Sequence, residues 1–136
     1  MRASPNRLVA VIVGASYLVA GAAGFFVTAG AGIFSTSGQL LLGVFSINPA
    51  AAVLDILIGA ALLIAGLSTV AASKAVATIV GTVFLVLGIA GLFVIGGSLN
   101  VLALNGADNV LLFASAVVLL ATGLGADRAV KTSATT

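Results

Sequence analysis

Four long apolar stretches follow one another along the chain, separated by shorter segments that hold most of the polar residues. They cover about residues 8–27, 50–70, 76–95 and 107–124, and each is uncharged or nearly so. A bilayer core about 30 Å thick is crossed by around 20 apolar residues at 1.5 Å of rise per residue. The pattern therefore predicts an all-α, integral membrane four-helix bundle that forms a single membrane domain over residues 1–136.

The four stretches form two similar halves. VAVIVGASYLVAGAAGFFV at 9–27 and VATIVGTVFLVLGIAGLFV at 76–94 agree at 12 of 19 positions, and residues 45–67 agree with residues 102–124 at 8 of 23. Equivalent residues are 67 positions apart in the odd stretches and 57 apart in the even ones, so the first half has ten extra residues in its loop. We predict two tandem, parallel-oriented helical hairpins, related by a pseudo-two-fold axis along the membrane normal.

Each odd helix carries three glycines at intervals of seven and three residues, which places them on one stripe of the helix surface. In lipid, small residues let two backbones approach closely and gain dispersion contacts. We interpret the stripes as helix-packing faces; a glycine-lined pore or hinge is the alternative. The glycines are Gly14, Gly21, Gly24, Gly81, Gly88 and Gly91.

The composition excludes most kinds of catalytic and metal-binding site. The chain is 62% hydrophobic and 6% charged, with no Cys and no His, whereas soluble domains are roughly 45–50% apolar and 25% charged. Disulfides and Cys/His metal or haem ligation are excluded, and no nucleophile–base pair is evident. We expect no enzyme activity, no cofactor, no bound metal and no domain outside the membrane.

The positive charges indicate the orientation. They lie in the N-terminal segment, in the link between spans two and three, and in the C-terminal tail 125–136, whereas the loops 28–48 and 95–106 have none. The positive-inside rule then places both termini in the cytoplasm. Because the charges are scattered, we expect no nucleic-acid partner. The cations are Arg2, Arg7, Lys74, Arg128 and Lys131.

An asparagine stands at the outer end of each even-numbered span. Asn48 precedes Pro49, and Asn105 is followed three residues later by Asp108. Asn is a favoured N-cap residue, Pro is favoured at the first helical position, and a carboxylate in the first turn satisfies free amides. We interpret Asn48, Asn105 and Asp108 as helix caps, with ligand binding as the alternative.

Asp55 does not fit the capping pattern. It lies seven residues after Asn48, roughly 10 Å along the helix from its outer end. Ala51, Ala52 and Gly59 share its helix face, which indicates a close helix contact. Intramembrane carboxylates are costly and usually functional. Asp55 is therefore a candidate proton-linked, cation-binding or partner-contacting group; the alternative is an aspartate hydrogen-bonded within the bundle, to Tyr17, Ser16, Ser115 or a carbonyl.

The outer loop 28–48 is apolar and contains the run LLLGVF at 40–45. It is too long for a turn and too hydrophobic for a free loop. We predict that residues 37–45 form a short helix or re-entrant segment at the membrane surface, or cover the top of the bundle.

The segments FSINPAAAVLDILIGAALL at 45–63, YLVAGAAG at 17–24 and LNGADNVLLF at 104–113 carry a resemblance that extends over essentially the whole chain. The sequence resembles a family of small four-span membrane proteins of actinobacteria and some other bacteria, the domain of unknown function 4383. That resemblance implies a pattern in which histidines follow the Asn of each even span. This chain has Ala51 and Asp55 at those positions, and Asp108 and Leu112 in the second copy, so a histidine site of the family is absent here.

These features lead us to expect an accessory subunit that packs against a larger inner-membrane complex, in contact with membrane lipids, and stabilises or regulates it. An envelope lipid-transport assembly is our specific expectation for that complex. The alternative is a small homo-oligomeric transporter or channel that uses Asp55, since a pore needs polar or charged groups along its wall.

Overall fold

The computed structural model describes residues 3–128. It contains four long helices and one β-hairpin. All four helices are long and apolar enough to cross a bilayer, so the prediction of a nearly all-α bundle with four membrane spans is confirmed. Arg2, Lys131 and the rest of the predicted tail from residue 129 lie outside the described residues. The elements are α1 (Pro5–Val27), β1 (Gln39–Leu41), β2 (Phe45–Ile47), α2 (Pro49–Ser68), α3 (Val70–Val94) and α4 (Gly106–Gly125).

The third helix begins well before the predicted residue 76. The side chain of Thr69 accepts a hydrogen bond from the backbone N–H of Ala72 at 3.0 Å and so caps α3. Thr69 is the single residue between α2 and α3. The prediction that Lys74 lies in a link between two spans is therefore wrong, because Lys74 is part of α3.

The helices associate most closely as α1 with α2 and α3 with α4. The start of α1 at Arg7 lies against Gly66 near the end of α2, and Gly21 lies against Ala52 near the start of α2, so this first helix pair is antiparallel. In the second helix pair, Lys74 at the start of α3 lies near Gly123, close to the end of α4. That the two pairs are tandem hairpins related by a two-fold axis stays a prediction.

The core lies where the two pairs meet. Its centre holds Tyr17 of α1 and Phe84 of α3, which are equivalent residues in the two repeats, and their ring centroids are 4.9 Å apart. Burial of aromatic rings and aliphatic side chains between helices gains dispersion contacts that lipid does not fully replace. The other fully buried apolar residues of this cluster are Ala10, Leu62, Ala77, Ala116 and Leu119.

The outer loop forms a β-hairpin, so the expectation of a short helix or re-entrant segment at 37–45 is wrong. β1 and β2 pair antiparallel, with Leu41 opposite Phe45. Between them, Leu42 and Gly43 both have positive φ, at 55° and 71°, as tight hairpin turns of the primed types require. A short apolar run does not distinguish strand from helix by periodicity. The expectation that this segment covers the bundle agrees with its contacts to α1 and α4.

Candidate functional site

A cavity of about 230 Å³ lies between the helices at the end of the bundle that carries the β-hairpin, which we call the hairpin end. All four helices contribute to its wall, and Leu41, Phe45 and Ile47 of the β-hairpin close it from above. Most of the lining is apolar. Its charged groups are Asp55 of α2 and Asp108 of α4, so the cavity brings together two residues that the sequence singled out separately.

Asp108 is held in place by backbone amides. Its Oδ2 accepts hydrogen bonds from the N–H of Asn105 at 2.9 Å and from the N–H of Ser46 at 3.2 Å. The side chain of Asn105 accepts in turn from the N–H of Asp108 at 2.9 Å, which completes a capping box at the start of α4. Asp108 therefore caps its helix and also joins that helix to strand β2.

Asp55 has no comparable partner: within residues 3–128 it makes no hydrogen bond and no ion pair. The hydroxyl groups considered as its partners are engaged elsewhere. Tyr17 and Ser115 bond to each other at 2.8 Å, and Ser16 donates to the carbonyl of Ile12 at 2.7 Å. Asp55 is half-buried on the cavity wall. Its carboxylate is therefore available to a bound species.

The cavity lies between equivalent parts of the two repeats. Asp55 faces it in one repeat where the other repeat has Leu112, and Asp108 faces it where the other has Ala51. These are also the four positions at which the resembled family pattern has histidine. The two even-numbered helices thus each carry one carboxylate on the cavity wall, at positions that are not equivalent in the two repeats.

The cavity does not continue to the opposite end of the bundle. Beyond Tyr17 and Phe84 the core is filled by Leu62 and Leu119, which have no exposed surface, and by Val80 at 6% exposure. Asp55 and Asp108 are the candidate ligands for a cation, although no group of three or more His, Cys, Asp or Glu occurs among the described residues. The geometry is that of a pocket closed at the bundle centre.

Two reciprocal hydrogen bonds join the repeats at the hairpin end. Nδ2 of Asn48 donates to the carbonyl of Val101 at 2.8 Å, and Nδ2 of Asn105 donates to the carbonyl of Val44 at 2.8 Å. Asn48 and Asn105 are equivalent residues, and so are Val44 and Val101, because both pairs are 57 positions apart. Asn48 also caps α2, accepting from the N–H of Ala51 at 2.8 Å. Reciprocal contacts of this kind are what a two-fold relation produces.

The opposite end, which we call the Asp127 end, is joined by a polar network that sequence reasoning missed. Oδ2 of Asp127 accepts from Ser4 Oγ at 2.6 Å, from the N–H of Asn6 at 3.1 Å and from Asn6 Nδ2 at 2.8 Å. These hydrogen bonds, first that of Ser4, lower the pKa of the Asp127 carboxyl below its usual range. The network ties the start of α1 to the residues after α4.

Two of the cations used for the orientation bind helix carbonyls at this end. Arg7 donates from Nε to the carbonyl of Gly66 at 2.9 Å, and Lys74 donates from Nζ to the carbonyl of Ala126 at 3.0 Å. Arg7 and Lys74 are equivalent residues, and each binds near the carboxyl end of the helix paired with its own. Cations are stabilising there because the last carbonyls of a helix are unpaired and its dipole is negative.

The six predicted packing glycines are all buried between helices. A Cβ atom on Gly14 or Gly21 would meet backbone atoms of α2, whereas on Gly81 or Gly88 it would meet side chains of α4. Gly24 lies against Ile47 of β2 and Ala52 of α2. Gly91 lies against the side chain of Asn109, whose Nδ2 donates to the carbonyl of Gly88 at 2.9 Å. The stripes are therefore contact surfaces in both pairs.

Fold and site together define a small four-helix membrane bundle with a pocket closed at one end. The chain belongs to the family described as Domain of unknown function (DUF4383), whose model matches residues 7–125. No curated protein and no solved structure matches it.

Proposed function

We propose that the chain is an accessory subunit that packs against a larger complex of the bacterial inner membrane, with both termini in the cytoplasm, and stabilises or regulates that complex. The observation that supports this role is the contrast between a closed interior and an apolar exterior. Glycine contacts and hydrogen bonds fix the helices at both ends, while large apolar side chains such as Phe26 and Phe93 are 81% and 83% exposed.

One part of that exterior is asymmetric between the repeats. The longer loop of the first repeat forms an apolar groove with α2, lined by Phe34, Val53 and Leu57 among others. We propose a membrane-spanning helix of the partner as the occupant of this groove, and an envelope lipid-transport assembly as the complex that supplies it.

The test is copurification from the native membrane. A tagged chromosomal copy, extracted in mild detergent, is expected to isolate larger membrane proteins in fixed proportion. The variant Leu57→Trp should lose them, whereas Leu67→Trp, on the same helix outside the groove and similarly exposed, should retain them. Isolation of this chain alone at native expression would contradict the proposal.

A second candidate function is a homo-oligomeric transporter or channel that uses Asp55. It is favoured by a single observation, that Asp55 lines a cavity without a partner among the described residues. A pathway would have to run between subunits, because Leu62 and Leu119 fill the centre of one bundle. Ion or solute flux into liposomes that is abolished by Asp55→Asn would support this function, and flux unchanged by that substitution would exclude the role of Asp55.

A further inference from the structure

The cavity at the hairpin end has the size and enclosure of a ligand site. Its volume of about 230 Å³ exceeds the roughly 150 Å³ of an apolar cavity that binds benzene. It therefore holds a single ring with a short substituent. Tyr17 and Phe84 form its floor and the β-hairpin forms its lid.

The lid exists because the first repeat is longer. The loop between α3 and α4 has no β-hairpin among its described elements, although its residues 102–104 are equivalent to β2. The extra residues fall within 28–43, the segment that contains β1, and Leu41 of β1 lines the cavity. Asp108 accepts a hydrogen bond from the N–H of Ser46 in β2, which connects the lid to one of the two carboxylates.

The polar groups of the cavity select for positive charge. An ionised carboxylate in apolar surroundings is costly unless a cation or hydrogen-bond donors accompany it. Asp108 has backbone donors, whereas Asp55 has none among the described residues. The described cations are all at the Asp127 end, where Arg7 and Lys74 bind carbonyls and Arg128 follows Asp127. A bound cation would therefore supply the charge partner without which the Asp55 carboxylate would take up a proton.

The remaining lining selects for an organic cation. Leu54, Leu87 and Leu111 provide apolar wall, and three aromatic residues, Tyr17, Phe45 and Phe84, also line the cavity, where an aromatic ring attracts an ammonium group placed over its face. Ca²⁺ and Mg²⁺ prefer six or more oxygen ligands, which this apolar lining does not offer. A hydrocarbon body with one ammonium group matches both parts of the wall.

We propose that this cavity binds a small hydrophobic amine in its ammonium form, with the charged group at Asp55 and Asp108 and the hydrocarbon part against the leucines. The proposal does not depend on the accessory role, since a partner complex contacts the exterior and the ligand occupies the interior.

The chain provides its own reporter for a binding test. Tyr17 is the single tyrosine and there is no tryptophan, so tyrosine fluorescence of the full chain in lipid vesicles reports on the cavity floor. The probe is 2-cyclohexylethylammonium, which does not absorb where tyrosine does, and the matched neutral probe is 2-cyclohexylethanol. We expect a saturable fluorescence change with the ammonium and at least tenfold weaker binding of the alcohol.

Variants distinguish binding in the cavity from non-specific partition of the probe into lipid. Asp55→Asn should weaken ammonium binding at least tenfold, and Ala20→Leu, which fills the cavity without changing charge, should abolish it. Leu124→Ala, on the exposed surface of α4, should bind as the unaltered chain does. Equal binding of the two probes, or unaltered ammonium binding by Ala20→Leu, would overturn the proposal, and this second result does not require Asp55→Asn to fold.

Discussion

The first and second helix pairs have the same glycine pattern in their odd helices and yet pack differently. In the first pair, glycines stand on both sides of the contact, because Gly59 of α2 lies against Gly14 and Leu18 of α1. In the second pair, position 116 of α4, which is equivalent to Gly59, is an alanine. Backbones touch at Gly14, Gly21 and Gly59 in the first pair, whereas side chains intervene at the α3 glycines of the second pair, where a glycine meets backbone only at Gly123 near the end of α4. A glycine pattern that is repeated in two helices thus determines the helix contact only together with the residues on the facing helix.

The largest effect on stability is expected when equivalent glycines of the two pairs are replaced by alanine. A Cβ on Gly14 would lie 2.6 Å from the backbone nitrogen of Leu63, whereas on Gly81 it would lie 2.9 Å from the movable side chain of Leu120. We expect Gly14→Ala to reduce the free energy of unfolding by about 3 kcal/mol and Gly81→Ala by about 1 kcal/mol. Reversible unfolding in mixed micelles measures both, and equal losses would contradict the comparison.

The next effect compares the two asparagine caps. Asn48 is 1% exposed and donates to carbonyls of Ser35 and Val101, while Asn105 donates only to Val44. Since each also caps its helix, we expect Asn48→Ala to cost about 2 kcal/mol or more and Asn105→Ala about 1 kcal/mol. Thermal unfolding in detergent would show this order; the opposite order would show that the cap at α4 is the more important one.

A smaller effect is expected from the cations at the carboxyl ends of the even helices. In the first pair, Arg7 donates two hydrogen bonds, to the carbonyls of Gly66 and Leu67. In the second pair, Lys74 donates to the carbonyls of Ala126 and Asp127. Replacement of either by methionine should cost about 0.5–1 kcal/mol, with the loss for Arg7 reduced by salt because its contact is partly exposed. Stability measured at low and high salt distinguishes this from lost packing, which salt would not change.

The smallest effect concerns the two junctions at the Asp127 end. α2 joins α3 covalently through Thr69, whereas α4 joins α1 through hydrogen bonds to Asp127. Because folding lowers the pKa of Asp127, its contribution is present above the unfolded value near 3.9 and is lost as pH falls through the lower folded value. Stability should therefore decline on acidification in the unaltered chain and less so in Asp127→Asn, and parallel curves would refute the role of this carboxylate.

Sequence patterns predicted the features of this molecule that depend on neighbouring residues. The four helices follow from runs of apolar residues, and the caps at Asn48 and Asn105 follow from favoured residues at helix starts. Gly59 of α2 faces the glycines of α1. Its position could have been recognised in the sequence, because Gly59 and Gly66 are seven residues apart, as Gly14 and Gly21 are.

Other features depend on residues far apart in the chain. The network of Ser4, Asn6 and Asp127 joins residues more than 120 positions apart, so no local pattern indicates it. The cavity beside Asp55 exists only once four helices and the β-hairpin assemble. The start of α3 at Val70 was missed because a threonine cap is a weaker signal than the apolar run that follows it.

The central claim is that the two helix pairs are like-oriented units that meet through reciprocal contacts. Its most direct test is cross-linking in membranes with pairs of introduced cysteines, since the chain has none of its own. The account predicts that Asn48→Cys with Val101→Cys and Asn105→Cys with Val44→Cys cross-link with similar efficiency through a short dithiol-bridging reagent, while Arg7→Cys with Asn105→Cys, at opposite ends of the bundle, does not. Cross-linking of only one of the two equivalent pairs, or of the pair at opposite ends, would contradict it.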